Sequence, residues 1–352
     1  MRIVLDCSMV AAMKNIVILA TGGTIAGAGE QGKDIGYKSG SIKAQALIDA
    51  IPELKNVANI FVEQVCNINS DDITSEIWIS LALRIKELSE NGFGDSHENV
   101  DGFVIMHGTD TMEETAFFLS LTLGAGANCK EQIAAQNAAN PVVLTGSMRP
   151  ATAAEPDGPA NLLFAVKSAV ALSCPNSVIL EPKAIGSSAV YVAFAGKLMD
   201  ARTVQKIHAN DLDAFSSFST EGRESIISRF DVSSLRSLPR VSVLYFNADA
   251  DADLLRFAAE RSAGLVIAGA GAGEFSLSWA AVIAEIVAQK KIPVVISTRI
   301  NRGCIVPEQL LVSGTIAAYD LPPAKAAVLL RLALTVTNDS ATIQEFFRNS
   351  VG

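Results

Sequence analysis

Apolar and polar positions along this chain fall into two alternating signatures. Short β-branched apolar runs of strand length are followed by longer stretches whose apolar positions recur at helical spacing. The runs at 15–20, 59–66, 102–107, 141–146 and 189–194 read as strands, and 42–51, 75–90, 113–123 and 159–172 as helices. Near 223–239 the pattern lapses into polar, serine-rich residues and then restarts. Strands are expected at 241–246, 264–269 and 293–298, and helices at 253–263, 277–290, 323–335 and 340–348. Such alternation implies a largely parallel sheet covered on both faces. The chain is therefore predicted to be an α/β protein with a larger, mostly parallel-sheet N-terminal domain over 14–221. A linker over 222–240 and a smaller C-terminal α/β domain over 241–352 complete it. The stretch 124–140, rich in Gly, Ala, Asn and Gln, reads as a surface excursion, and the residues before Met13 as a loose extension.

Composition changes the picture mainly by exclusion. With 49% apolar and 18% charged residues, the 352-residue chain is globular rather than disordered and long enough for two domains. Its formal net charge of −9, without a basic stripe, argues against nucleic acid or an anionic membrane as partner. Five cysteines, none in a C-x-x-C pair, suggest neither a disulfide framework nor a zinc site. Three histidines, none at ligand-pair spacing, make a histidine-rich metal cluster equally unsuitable. Asp6 interrupts the apolar amino terminus, and the run after Met13 meets Gly22-Gly23 at once. Neither a signal peptide nor a transmembrane span is expected, and a cytoplasmic enzyme is the reading that follows.

The candidate chemistry sits where two of the strand runs end. The first is followed by Ala20-Thr21-Gly22-Gly23-Thr24-Ile25-Ala26-Gly27, the third by Gly108-Thr109-Asp110-Thr111-Met112-Glu113-Glu114-Thr115. Each places hydroxyls at the carboxyl end of a buried strand, the edge at which open α/β sheets bind ligands. A glycine-rich turn can also cradle phosphate, but the spacing here is not G-x-G-x-x-G and no clear helix follows. The glycines instead allow close backbone approach to a ligand and movement of the following loop, in which Tyr37 stands alone. For the second motif an ordinary reading is a helix N-cap at Asp110, with Glu113 and Glu114 complementing the helix dipole. That accounts less well for the extra hydroxyl of Thr109. A hydroxyl needs a base to become a nucleophile, either His107 or a lysine brought from elsewhere.

The chain resembles the bacterial-type L-asparaginases, the asparaginase/glutaminase family of threonine amidohydrolases, from about Lys14 to its carboxyl terminus. The likeness rests on the two threonine motifs, on Gly146-Ser147-Met148-Arg149-Pro150 and on Asp157-Gly158-Pro159-Ala160-Asn161-Leu162. The resemblance implies that Thr24 is the primary nucleophile, assisted by Tyr37, and that Thr109 and Asp110 work with a lysine. The stretch 198–206 matches the family's lysine-bearing segment and puts that lysine at Lys206, a residue that would otherwise pass for a solvated surface lysine. Gly23, Ser70, Asp71, Thr109, Asp110, Ser147 and Glu274 are the implied substrate contacts. The negative charge developing on the amide oxygen needs fixed donors, such as the backbone around Gly23 or the hydroxyl and amide of Thr109. No metal and no cofactor are implied. A homotetramer is, with each site completed by the C-terminal domain of a neighbouring subunit.

Two positions depart from the family pattern, and both add negative charge. Asn69-Ser70-Asp71-Asp72 stands where relatives often read Gly-Ser-Gln-Asp, and Gly269-Ala270-Gly271-Ala272-Gly273-Glu274 where they often read Gly-x-Gly-Asn-Gly-Asn. The implied activity is hydrolysis of L-asparagine to L-aspartate and ammonia, with L-glutamine as secondary substrate. The alternatives are a glutaminase-leaning amidohydrolase, an amidotransferase component, and an asparagine sensor that does not turn its ligand over. Thr24, Thr109, Asp110 and Lys206 all being in place argues against the sensor.

Overall fold

A computed structural model describes residues 13–33, 36, 38, 40–123, 140–174, 189–218 and 230–350. Tyr37, the residues before Met13, nearly all of the 124–140 excursion and the first part of the expected linker lie outside the described residues. The chain divides into two compact units, Met1–Phe218 and Ser219–Gly352.

In the first unit the strands are β1 (Asn15–Gly22), β2 (Asn59–Ile68), β3 (Gly102–Met106), β4 (Val142–Thr145), β5 (Val190–Phe194) and β6 (Lys197–Asp200). They form one sheet in the order β2-β1-β3-β4-β5-β6. The first five are parallel, and β6 turns back antiparallel on β5. That reversal passes through Ala195 and Gly196, both at positive φ, the backbone of a two-residue hairpin. The crossovers carry α1 (Ala44–Asp49), α2 (Ser75–Asn91), α3 (Met112–Thr122) and α4 (Gly158–Leu172). A ribbon of β7 (Val204–Lys206) and β8 (Phe215–Ser217) follows β6. Strands β3 and β4 are buried at every residue, which is why they read as continuous apolar runs rather than alternating ones. Leu162, Ala165, Val166 and Ala169 of α4 and Ala44 and Ile48 of α1 pack with Ile16, Ile18, Val104 and Val143 of the sheet. Trp78 of α2 stacks on Phe118 of α3, ring centroids 5.3 Å apart.

The second unit holds β9 (Val241–Tyr245), β10 (Gly264–Gly269), β11 (Val294–Thr298) and β12 (Ile316–Ala317), all parallel, in the order β12-β11-β10-β9. Its helices are α5 (Asp253–Ala259), α6 (Leu277–Glu285), α7 (Pro323–Ala333) and α8 (Ser340–Asn349). Leu255 of α5 and Trp279, Val282 and Ile283 of α6 pack on Leu265, Ile267, Val294 and Ile296.

The fold class is the expected one: a larger, mostly parallel α/β unit followed by a smaller α/β unit. Element ends differ in places. The helix expected at 253–263 stops at Ala259, and that expected at 277–290 changes to a π turn from Ile286 until Lys291, in the left-handed region, ends it. Strands β6, β7, β8 and β12 were absent from the sequence pattern. With two to four residues each they are too short to show a period.

Candidate active site

The carboxyl ends of β1, β2 and β3 meet at one point, and glycine makes the meeting possible. Register pairs Ala20 with Met106, so β1 and β3 end side by side. The Thr21 hydroxyl donates to the Met106 carbonyl at 3.0 Å and ties the two strand ends together. Gly23 follows with φ 79°, and a Cβ built on it would lie 2.5 Å from the amide nitrogen of Gly108. A Cβ on Gly108 would lie 2.7 Å from Ser70 Oγ, at the turn after β2. No side chain fits at either position. Thr24 and Thr109 are the residues next after these glycines, and so flank the contact.

Lys206 arrives from the β7–β8 ribbon. Its Nζ donates to Thr109 Oγ1 at 2.9 Å and to Asp110 Oδ1 at 2.6 Å. Thr109 is 5% exposed, and the Lys206 side chain is 15% exposed against 69% for Asp110. The lysine is therefore not a solvated surface residue: it runs inward to a buried hydroxyl. Glu113 holds its backbone, with Oε2 accepting from the Lys206 amide at 2.5 Å. Sequence reasoning gave Glu113 only a role toward the helix dipole. The missing signal is that β7 is three residues long and invisible in the pattern.

The second motif also departs from the expected N-cap. Helix α3 is capped at Thr111, not Asp110, and without a side-chain cap bond. The Thr111 hydroxyl instead donates to the Ser70 carbonyl at 2.6 Å, while the Asp110 amide donates to Ser70 Oγ at 3.2 Å. Ser70, 5% exposed, is thus fixed against the second motif with its hydroxyl proton still available.

Other expected residues fall as follows. Thr24 is half-buried in a short 3-10 turn, Thr24–Ala26. The Gly23 amide donates to Ile68 O at 3.0 Å, so what Gly23 supplies is its missing side chain rather than a free N–H. Asp71 is exposed in the 3-10 turn Ser70–Asp72. Ser147 is fully buried and its hydroxyl donates to the Arg149 carbonyl at 2.7 Å, so it stiffens the Gly146–Pro150 turn and has no donor left for a ligand. Glu274 is exposed in the second unit, on a turn that pairs with Ala270. His107 is not the base: it is fully buried, and both ring nitrogens are engaged, by Gly108 O at 2.7 Å and Thr115 Oγ1 at 3.0 Å. Among the described residues no group of His, Cys, Asp and Glu side chains could hold a metal ion.

The loop between Thr24 and α1 is tied down at several points. Ala28 and Lys38 form a β-bridge, and the Gly40 amide donates to Gly23 O at 3.2 Å. Farther out, the amides of Gly29 and Gly32 donate to Thr152 Oγ1 at 3.0 Å and to its carbonyl at 2.8 Å.

A parallel α/β sheet whose carboxyl edge brings a lysine and a carboxylate to a threonine hydroxyl is suited to hydrolytic chemistry. Comparison with known proteins gives the class its name. Residues 15–231 match the family description "Asparaginase, N-terminal", and residues 240–347 match "Glutaminase/Asparaginase C-terminal domain". The chain is 38% identical to L-asparaginase 2 of Bacillus subtilis, over 95% of this chain and 86% of that one. It is 36% identical to the probable periplasmic L-asparaginase of Haemophilus influenzae, over 96% and 93%. A solved structure of a probable cytoplasmic L-asparaginase from Campylobacter jejuni superposes with a TM-score of 0.79 at 36% identity, covering 96% of this chain and 99% of that one. The chain belongs to the asparaginase family. Among the described residues no helix is long and apolar enough to cross a membrane. The relatives carry both compartment labels, periplasmic and cytoplasmic.

Proposed function

We propose that this protein hydrolyses the side-chain amide of L-asparagine to L-aspartate and ammonia through Thr24, with L-glutamine as a secondary substrate. The observation that carries the reading is the part-buried contact of Lys206 Nζ with Thr109 Oγ1, with Asp110 on its exposed side. A lysine brought to a buried hydroxyl beside a second threonine is arranged to move a proton, not to stabilise a surface.

The steps balance without any further reagent. Thr24 Oγ bonds to the amide carbon as its proton passes through Thr109 to the Lys206 amine, and the carbonyl oxygen becomes an oxyanion. The C–N bond then breaks as the nitrogen takes a proton handed from Lys206 through Thr109, and ammonia departs. Lysine is the donor to Thr109 in this arrangement, the direction that serves a leaving amine. The reverse direction serves the second half, in which water adds to the threonyl ester and the proton returns to Thr24. Ser70, with a hydroxyl proton to offer, suits the substrate α-carboxylate, and Asp110 and Asp71 suit the α-amino group. Tyr37 belongs to the same reading as the assisting phenol. A homotetramer belongs to it too, supported by the family likeness.

The test is ammonia release from L-asparagine and L-glutamine by the wild-type protein and by Thr24→Ala. Turnover of asparagine by the wild type and its loss in the variant are expected. A wild-type protein that binds asparagine without releasing ammonia would make it a sensor. A solution mass near four times 37.0 kDa is expected, and a fully active monomer would overturn the assembly.

A further inference from the structure

A buried chain of side chains lies behind Thr109, and the proposed chemistry does not use it. Trp78 Nε1 is 2.8 Å from Thr115 Oγ1, Thr115 Oγ1 is 3.0 Å from His107 Nε2, and His107 Nδ1 is 2.7 Å from the Gly108 carbonyl. Trp78 is 3% exposed, and Thr115 and His107 are fully buried. Three elements contribute: α2, α3 and the end of β3.

The bond directions follow from the chemistry of the ends. An indole N–H only donates and a carbonyl only accepts. Thr115 therefore accepts from Trp78, and His107 Nδ1 carries the proton that Gly108 O accepts. A neutral ring protonated at Nδ1 has its lone pair on Nε2, so the Thr115 hydroxyl donates there. Burial pushes the His107 imidazole down to about 4, which keeps the ring neutral over the working pH range, and its two bonds then select this tautomer.

The consequence lies one bond further on. The close approach of Gly23 and Ser70 admits only glycine at position 108. Glycine sets little preference for its own backbone, so the peptide plane from 108 to 109 needs an outside restraint. His107 supplies one by drawing the Gly108 carbonyl toward the core. No peptide bond here is cis. In a trans peptide the N–H points away from the C=O, which turns the Thr109 amide away from the core and His107. Among the described residues no group accepts from that amide.

We propose that His107 is a positioning residue for the reaction: through the Gly108 carbonyl it aims the Thr109 N–H at the oxygen that becomes an oxyanion. Thr115 and Trp78 fix the tautomer that does this. The inference rests on the amidohydrolase reading above, and its test separates from that one. Asparagine turnover by the wild type and its loss in Thr24→Ala bear on the reading; only the histidine series bears on the aim of the amide.

The series is His107→Leu, which removes the donor, His107→Asn, whose amide nitrogen reaches the place of Nδ1, and Thr115→Val, which keeps the ring but frees its tautomer. For each, kcat, KM, the Kd of L-aspartate and the Kd of L-aspartate β-semialdehyde are measured, with melting temperature as the check on folding. The aldehyde adds to the nucleophile and forms the same oxyanion, whereas aspartate does not. His107→Leu is expected to lower kcat at least about tenfold and to weaken the aldehyde by a similar factor, as loss of an oxyanion donor does. KM and aspartate affinity should stay near wild type, and His107→Asn should recover most of the loss. If the leucine variant does not fold, Thr115→Val takes its place, with kcat lowered about threefold or more at unchanged KM. The proposal is overturned if the folded variants keep wild-type kcat, if His107→Asn recovers none of the loss seen in His107→Leu, or if aldehyde and aspartate affinities fall together.

Discussion

The two units use the same architecture and make opposite use of glycine at the carboxyl edge of their sheets. In the first, glycines from different strand ends press on each other: Gly23 lies against Gly108, and Gly108 against Ser70. In the second, the glycines of one turn press on themselves, a Cβ on Gly269 falling 2.4 Å from the carbonyl carbon of Gly273. Hydroxyls differ in the same way. Thr109 receives a lysine, while Thr298 at the end of β11 donates to Gly271 O at 2.6 Å and accepts from the Ile300 amide at 3.0 Å. A parallel sheet offers a place for ligands, but the fold does not supply the chemistry. Turns that meet across strands bring reactive groups together, and a turn that closes on itself satisfies its own backbone.

The largest expected effect separates these two uses of threonine. Thr24→Ala should lower kcat at least about a thousandfold, as loss of a nucleophile does, with little change in melting temperature or in aspartate binding. Thr298→Val should do the reverse, costing about 1–3 kcal/mol of stability through two unmade hydrogen bonds while most turnover remains. Steady-state kinetics and denaturant unfolding of both variants test the contrast. A Thr24→Ala enzyme that kept a few per cent of wild-type turnover would move the nucleophile elsewhere, with Thr109 first in line.

Next in size is the coupling inside the first unit. Lys206→Met and Thr109→Val should each reduce kcat by about a hundredfold or more, and the double variant should be little worse than either, because groups acting as one unit are strongly non-additive. Losses that multiplied would place the lysine and the threonine in separate roles. Their 2.9 Å contact would then be structural only.

Much of this arrangement was legible in the sequence, and the failures have a common cause. Long, doubly buried strands such as β3 declare themselves as apolar runs, and the strand-end threonines could be placed from them. Lys206 could not: it sits on a three-residue strand, and only resemblance singled it out. Glu113 looked complete as a dipole partner, because its bond to the Lys206 amide spans 93 positions of sequence. His107 was legible as a strand-end residue, but its tautomer depends on Thr115 and Trp78, which sequence spacing cannot bring together. Ser147 was legible as part of a motif and not as a hydroxyl already spent on Arg149 O. Local pattern shows where the backbone goes; bonds between distant elements decide which side chains remain available.

A smaller effect concerns pH. The His107 imidazole lies near 4 when folded, below its ordinary value of 6.5, because burial penalises the charged ring. Between those values the unfolded chain binds a proton that the folded chain refuses. The stability this group confers is complete above about pH 6.5 and is lost as pH falls toward 4, by up to about 3 kcal/mol. Unfolding free energies measured across that window should slope less in His107→Asn than in wild type. Equal slopes would assign the acid sensitivity to other groups.

The smallest effect tests the departure nearest the site. Asp71 follows Ser70, whose carbonyl and hydroxyl accept from Thr111 and Asp110, so it stands next to the turn that meets the second threonine motif. If it faces the α-amino group, an analogue lacking that amine leaves the carboxylate without its partner, and discrimination against the analogue follows. Asp71 is exposed in this chain, so solvent weakens the pairing and the gain is modest. The ratio of kcat/KM for L-asparagine to that for succinamic acid should fall about three- to tenfold in Asp71→Asn, the scale of a partly solvated ion pair. An unchanged ratio would place Asp71 outside the amine pocket. Recognition of the amine would then fall to Asp110, whose Oδ1 already accepts from Lys206, and one carboxylate would serve both the relay and the substrate.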